Sequence, residues 1–378
     1  MTLSSVVIAL SILWFAFGYV GYPVVLWLVR TLAPRPTGRT PSGDADGDPP
    51  ISVVIAVHNG ERELAHKLEG TLAQAHHGRF EVIVASDGST DRSEAIAQTF
   101  AARGVRLVRC AERRGKEAAQ AAAIAEASGE IIVFTDVGAE LEPGSIEAIV
   151  APFADPTIGG VSSEDVVEHG GGEGLYVRYE MWLRRLESEA ATLVGLSGSF
   201  FAIRRSLSAP WPTHLASDFR CALEAARRGL RTVSEPGARA RFGTVRAPGA
   251  EWQRKVRTVR RGLAVLSAYR DLLHPRHGRV AFALWGHKVA RFTAPFALLV
   301  LLGACVAAAP TSPIAFWLLL AQIAFYGLGV GAIASRGIGR HLPAKIAGFF
   351  LLVHASVLVA WGYHVAGKQA VTWNPTAR

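Results

Sequence analysis

The sequence predicts an α/β domain on a mostly parallel sheet, set between one N-terminal and about three C-terminal transmembrane helices. Two observations predict it. Through the middle of the chain, short β-branched runs alternate with helix-period segments, the pattern of a parallel sheet covered by helices on both faces. At the two ends the apolar residues are concentrated. Half of the 378 residues are hydrophobic and only 19% are charged, against about 25% charged in an ordinary soluble domain.

Met1 to Val29 carries no charged side chain, and Arg30 closes the run. About 20 apolar residues cross the hydrocarbon core, so residues 1–30 read as a membrane anchor. A cleaved signal peptide fits less well, because the run is long, no basic region precedes it and no small-x-small site follows. Residues 31–50 are rich in Pro, Gly, Asp and Thr and read as a linker. Three strands are then expected at Ile51–Val57, Phe80–Ser86 and Val105–Arg109, and a fourth at Glu130–Thr135. Between and after them come helices marked by Leu64, Leu68 and Leu72, then Asp91–Ala102, Gly115–Ala127 and Pro143–Phe153. The domain is expected over residues 51–250, with basic amphipathic helices at the membrane surface over 251–291.

A second uncharged run, Phe292 to Ser335, is broken at Pro310-Thr311-Ser312-Pro313 and is long enough for two crossings. A third, Ile346 to Gly367, is long enough for another, although His354, Trp361, Tyr363 and His364 also suit the interface. The spans are therefore placed in 292–367, with 368–378 as a tail. Basic residues flank them: Arg30, Arg35 and Arg39; Arg276, Arg279, Lys288 and Arg291; Arg336, Arg340 and Lys345. By the positive-inside rule all three clusters, and the central domain, lie on the cytoplasmic side of the inner membrane. With every span real, the tail ends outside. The net charge of +9 is accounted for by these clusters, so a nucleic-acid partner is not expected. The three cysteines are scattered, and no disulfide framework or zinc site is indicated.

In parallel sheets, ligands bind beyond the C-terminal strand ends. Three of these strands end in Val57-His58-Asn59-Gly60-Glu61, Ser86-Asp87-Gly88-Ser89-Thr90-Asp91 and Phe134-Thr135-Asp136-Val137-Gly138. Each alone is compatible with a turn, and Asp91 with a helix cap. Three acidic or amide ends on one sheet edge point to a charged ligand.

These segments carry a resemblance. Val53–Asn59, Asp87–Asp91, Arg114-Gly115-Lys116, Ile132–Asp136, Gly198–Arg205, Ser217-Asp218 and the run Arg254-Lys255-Val256-Arg257 are similar, in order and spacing, to the family-2 inverting glycosyltransferases with a GT-A domain, over roughly residues 50–262. Trp373–Arg378 is similar to a tail common in membrane members. The resemblance implies transfer of a sugar with inversion from a nucleotide sugar, a UDP-sugar by family frequency, to a lipid-linked or saccharide acceptor. It places Val57, His58, Asn59, Glu61, Asp87, Gly115 and Lys116 at the nucleotide, with Asp87 accepting from base or ribose. Asp136 becomes the ligand of Mg²⁺ or Mn²⁺, which neutralises a diphosphate leaving group. The family's second metal carboxylate is replaced by Gly138, leaving Glu140 or waters to compensate. Asp218 is implied as general base, with helix capping as the alternative, and Ser217 replaces a first acid. Arg254 and Arg257 are implied as diphosphate clamps, with membrane-surface binding as a compatible reading. Glu187 is implied near the acceptor; a solvated helix face competes. Where processive synthases carry Gln-x-x-Arg-Trp, this chain has Arg254 and Thr258 at the first and last positions. That favours one or few transfers over processive synthesis with export, as do four spans, too few for a wide channel.

Overall fold

The computed structural model describes residues 2–33, 48–167, 172–242 and 248–368; most of the expected linker and the Trp373–Arg378 motif lie outside them. The first rod comprises α1 (Leu3–Ala16) and α2 (Tyr22–Leu32), joined by a π-helical turn. Next come β1 (Ile51–Val57), α3 (Leu64–Leu72), β2 (Phe80–Asp87), α4 (Ser93–Thr99), β3 (Val105–Cys110), α5 (Lys116–Glu126) and β4 (Ile131–Asp136). The domain continues through β5 (Glu140–Leu141), α6 (Ser145–Val150), β6 (Ile158–Val167) and α7 (Gly172–Ala190). It closes with β7 (Phe200–Arg204), α8 (Ser217–Arg227) and β8 (Arg231–Phe242). The C-terminal part is helical: α9 (Pro248–Ala268), α10 (Arg279–Ala283), α11 (Ala290–Ala308), α12 (Pro313–Ala334), α13 (Arg336–Gly339) and α14 (Leu342–Val365).

The eight strands form one Rossmann-like sheet in the order β3-β2-β1-β4-β7-β6-β8-β5. The half β3-β2-β1-β4 is wholly parallel, as the alternation predicts. Beyond β4 the sheet is mixed, with β7 antiparallel to both β4 and β6 and β8 parallel to β6. The strand order reverses between β1 and β4, and in such sheets ligands bind beyond the carboxyl ends of the strands at that point. The core follows from side-chain alternation: Val53, Ile55 and Val57 of β1 face one apolar cluster and Val54 and Ala56 face the other. Both faces are covered, so β1 is a continuous apolar run.

A third cluster joins the domain to the first rod, packing Tyr22 and Leu26 against Leu183, Leu186, Leu223 and Leu284. Four helical rods are long and apolar enough to cross a membrane: 3–32, 279–308, 313–334 and 342–365. The start of the second lies thirteen residues ahead of the uncharged run, since Arg279 to Arg291 continue the same rod.

Candidate active site

The loops after β1 and β2 are stitched together. Asn59 adopts a left-handed conformation at φ 51°, which Asn tolerates. Its amide oxygen accepts from Thr90 N–H at 2.8 Å, and Glu61 N–H donates to Asp91 Oδ2 at 3.0 Å. His58 Nδ1 lies 2.7 Å from the Asp87 carbonyl. Asp91 is no helix cap residue in the strict sense, since α4 starts at Ser93 with Arg92 before it, but its Oδ1 accepts from Ser93 N–H. Partial burial pushes the Asp91 carboxyl up, and hydrogen bonds from Ser93 and Glu61 outweigh it to hold the group below its ordinary value. Val57 is fully buried in the core, so only its backbone can meet a ligand.

Asp87 departs from expectation. Its side chain is buried, and its carboxylate accepts from Arg114 N–H at 2.7 Å and from Gly115 N–H at 2.9 Å. The carboxylate therefore shapes the turn into α5 before it can serve a base or ribose. Gly88 at φ 60° permits that turn's close approach, for a Cβ there would stand 2.8 Å from Arg113 N.

The turn delivers Lys116. Its Nζ donates to Asp136 Oδ1 at 2.5 Å and to the Gly198 carbonyl at 2.7 Å. Gly198 in turn lies against Asp218, since a Cβ on it would stand 3.0 Å from Asp218 Oδ2. Asp136, Lys116, Gly198 and Asp218 thus occupy one rim although they are spread over a hundred residues of sequence. Asp218 sits in the first turn of α8, whose N-cap is Ala216. Its carboxylate is half-buried and has no hydrogen-bond or ion-pair partner among the described residues. It makes no capping hydrogen bond to the start of α8.

Three further residues complete the rim without having been expected. Glu117 is buried; it pairs with the Arg261 guanidinium, and its Oε1 accepts from Ser217 N–H at 3.4 Å. One carboxylate therefore ties α5, α9 and the N-terminus of the helix bearing Asp218. Arg257 lies in the same field. Burial pulls its guanidinium down and the Arg261 and Arg254 charges push the same way, against Asp136 and Glu117. Arg254, Arg257 and Arg261 recur at i, i+3 and i+7, on one face of α9. Beneath the rim, the fully buried Lys67 donates to Thr135 Oγ1 at 2.7 Å and to the Ala139 carbonyl at 2.6 Å, bracing the loop that carries Asp136. Burial brings its ammonium down to about 7, against the Asp136 and Glu140 charges.

For the expected metal the described residues offer a sparse oxygen set. No group of three or more His, Cys, Asp or Glu side chains is gathered among the described residues. Glu140 lies 3.7 Å from His66 and is 64% exposed, and its charge acts on Lys67 together with that of Asp136. What remains is the half-exposed Asp136 carboxylate, with a Lys116 ammonium already seated on it, and open space where Gly138 would carry a side chain. A position that attracts one cation between a carboxylate and a carbonyl fits a hard divalent ion completed by diphosphate and water.

Glu187 needs correction. It lies neither at the rim nor on a solvated helix face. It is buried, accepting from Tyr22 Oη at 2.6 Å, and lies 2.7 Å from His287 Nδ1. Beside it Glu180 pairs with Arg291. Burial pushes the Glu180 carboxyl up, but Arg291 and His287 outweigh it and hold the group well below its usual range. This polar cluster fastens α7 to the first two apolar rods. Elsewhere on α9, Lys255 stacks over Tyr176 and Phe349 and Arg260 over Tyr363.

Residues 52–209 match the family described as Glycosyl transferase family 2. An uncharacterized protein of Mycobacterium tuberculosis is 32% identical over 111 residues, 29% of this chain and 34% of that one. An N-acetylglucosaminyltransferase of Azorhizobium caulinodans is 24% identical over 216 residues, 51% of this chain and 54% of its own. The chain thus spans about half the length of these relatives or less. Among solved structures, a mannosyltransferase from Pyrobaculum calidifontis in complex with GDP-Man and Mn²⁺ is similar over 96% of this chain and 99% of its own, at a TM-score of 0.72 and 23% identity. That likeness is one of fold, and it embraces the sheet domain and the apolar helices together.

Proposed function

We propose that the chain is a membrane glycosyltransferase, a reading supported by the match of residues 52–209 to Glycosyl transferase family 2 and by the likeness of fold to a solved mannosyltransferase. It transfers one sugar, with inversion, from a nucleoside-diphosphate sugar to a lipid-linked or saccharide acceptor at the cytoplasmic membrane face. The reading serves cell-surface polysaccharide assembly, with a UDP-sugar as first candidate donor and a GDP-sugar as second. The observation that carries it is the meeting of Asp136, Lys116 and Asp218 around Gly198.

The chemistry follows from that meeting. Asp218 takes the proton of the acceptor hydroxyl as its oxygen attacks the anomeric carbon from the face opposite the leaving group. The bond from that carbon to the diphosphate oxygen breaks, and the departing diphosphate gathers negative charge. Lys116 and the guanidinium row of Arg254, Arg257 and Arg261 lie where that charge develops. Asp136 would hold Mg²⁺ or Mn²⁺, which supplies Lewis-acid neutralisation of the same diphosphate. The stitched loops of His58, Asn59 and Glu61 form the nucleotide's seat, and Asp87 keeps the Arg114–Lys116 turn in place beside it.

The test is a screen of UDP- and GDP-sugars with purified protein in detergent, with and without Mn²⁺, alongside Asp218→Asn. The variant is expected to bind donor normally and to lose transfer by about 10²–10⁴-fold, the usual worth of a general base. Undiminished turnover in Asp218→Asn refutes the assignment. A product ladder in place of one added sugar refutes single transfer in favour of processive synthesis.

A further inference from the structure

Helix α14 has the length and apolarity of a span, yet its contacts run across the other apolar rods and not along them. The first two rods set a scale of depth. They pack antiparallel, with a Cβ on Gly18 falling 3.0 Å from that of Ala290 and Trp14 Nε1 donating to Thr293 Oγ1 at 2.9 Å. Farther out, Ile8 packs with Leu301, Cys305 and Ala315. Toward the sheet domain the scale ends at the polar cluster of Tyr22, Glu187 and His287.

Against that scale α14 stays level. The Phe350 ring is 6.0 Å from Phe15, and His354 Nε2 is 3.4 Å from Tyr19 Oη. Trp361 Nε1 donates to the Phe292 carbonyl at 2.8 Å, and His364 Nε2 lies 3.1 Å from Ser267 Oγ of α9. Ten residues separate His354 from His364, a rise of roughly 15 Å. A crossing helix would carry His364 outward to the level of Ile8. Instead it meets α9, which is bound to the sheet domain through Arg261 and Glu117. Near the other end of α14, Phe349 touches Tyr176 of α7 at 5.9 Å and lies under Lys255. Both ends therefore face the sheet domain.

We infer that α14 is an in-plane helix, docked on the membrane leaflet that faces the sheet domain, with its end at Lys368 on that side. Phe15 and Tyr19 lie seven and three residues from Tyr22, or about 5–10 Å below the boundary, the depth at which interfacial helices rest. Its apolarity all round has the same cause: α7, α9 and α12 cover one side and acyl chains the other, where Ile346, Val359 and Val365 are exposed. Three crossings then place the N-terminal end of α1 opposite the sheet domain. Arg260 donates to the Lys368 carbonyl at 2.8 Å, so the end of α14 is fastened to α9.

The inference does not depend on the catalytic reading and is tested separately from it. An epitope is appended after Arg378 of the full chain, which is placed in sealed vesicles with the sheet domain outward. Protease is expected to remove the epitope along with the sheet domain before detergent is added. An epitope that survives until detergent opens the vesicle overturns the inference. Ser267→Cys paired with His364→Cys is expected to be bridged in the membrane by a short bifunctional thiol reagent that spans the length of the lost imidazole, and failure to do so overturns the packing on which the inference stands.

Discussion

Gly198→Ala tests the rim most directly, because it adds one methyl group and removes no charge. The glycine lies outside the left-handed region, so alanine brings no backbone strain there. The new Cβ would stand 3.0 Å from Asp218 Oδ2 and 3.5 Å from its Cγ. Ordinary Cβ contacts begin near 3.4 Å, so the carboxylate must yield by a few tenths of an ångström or rotate away. The helix holds its main chain, with Leu196 N–H donating to the Asp218 carbonyl at 3.3 Å, so the side chain is what moves. A misplacement of about 1 Å at a reacting centre costs about 10²-fold; a few tenths should lower kcat by about 5- to 20-fold. Donor KM should hold, because the nucleotide seat is on other strands, and stability should change by less than about 0.5 kcal/mol. Steady-state kinetics and thermal melting read both quantities. Unchanged kcat would show that Asp218 is not the base held there, and a kcat loss matched by an equal fall in melting stability would show mere unfolding.

Other expectations follow from the same contacts. Glu117→Gln leaves the Arg261 charge uncompensated beside Arg257 and should cost about 3 kcal/mol, at the low end for a broken buried pair. Glu117→Met with Arg261→Met should recover most of it in a double-mutant cycle of melting free energies, and additive losses would refute the pairing. Asp136→Asn should lower Mn²⁺-dependent turnover on the order of 100-fold and abolish saturation by the metal; an unaltered metal titration would remove Asp136 from that role. Lys67 titrates at about 7 in the folded chain and near 10.4 unfolded. Between these values the unfolded state holds a proton that the folded state has lost, so stability from this group rises with pH through that window. Lys67→Met should flatten that rise in denaturant titrations from pH 7 to 10, and an unchanged slope would refute the buried-ammonium account.

The fold and the site were unequally legible. The parallel half of the sheet could be read because β1, β2 and β4 bury both faces along most of their length and are bounded by turn residues. In the mixed half, β6 and β8 could not, since Gly159-Gly160, Ser162-Ser163 and Pro236-Gly237 dilute their apolar pattern. At the site, Asp136, Lys116 and Asp218 stand in motifs whose residue types announce a charged ligand. Glu117, Arg261 and Lys67 carry no such mark. A glutamate, an arginine or a lysine at helix spacing reads as a solvated face until packing buries it. Only their partners, brought from more than sixty residues away, show them to be bracing.

What the sequence by itself determined is therefore local: which segments are strands, which are apolar rods, and which polar residues end the strands. The tertiary structure alone decided that Asp87 spends its carboxylate on a turn, that Glu187 is a buried anchor between domain and membrane rods, and that α14 lies across its neighbours. The physical reason is the same in each case. Hydrophobicity and periodicity depend on neighbours along the chain, whereas burial, pairing and direction depend on which distant surfaces close over a residue.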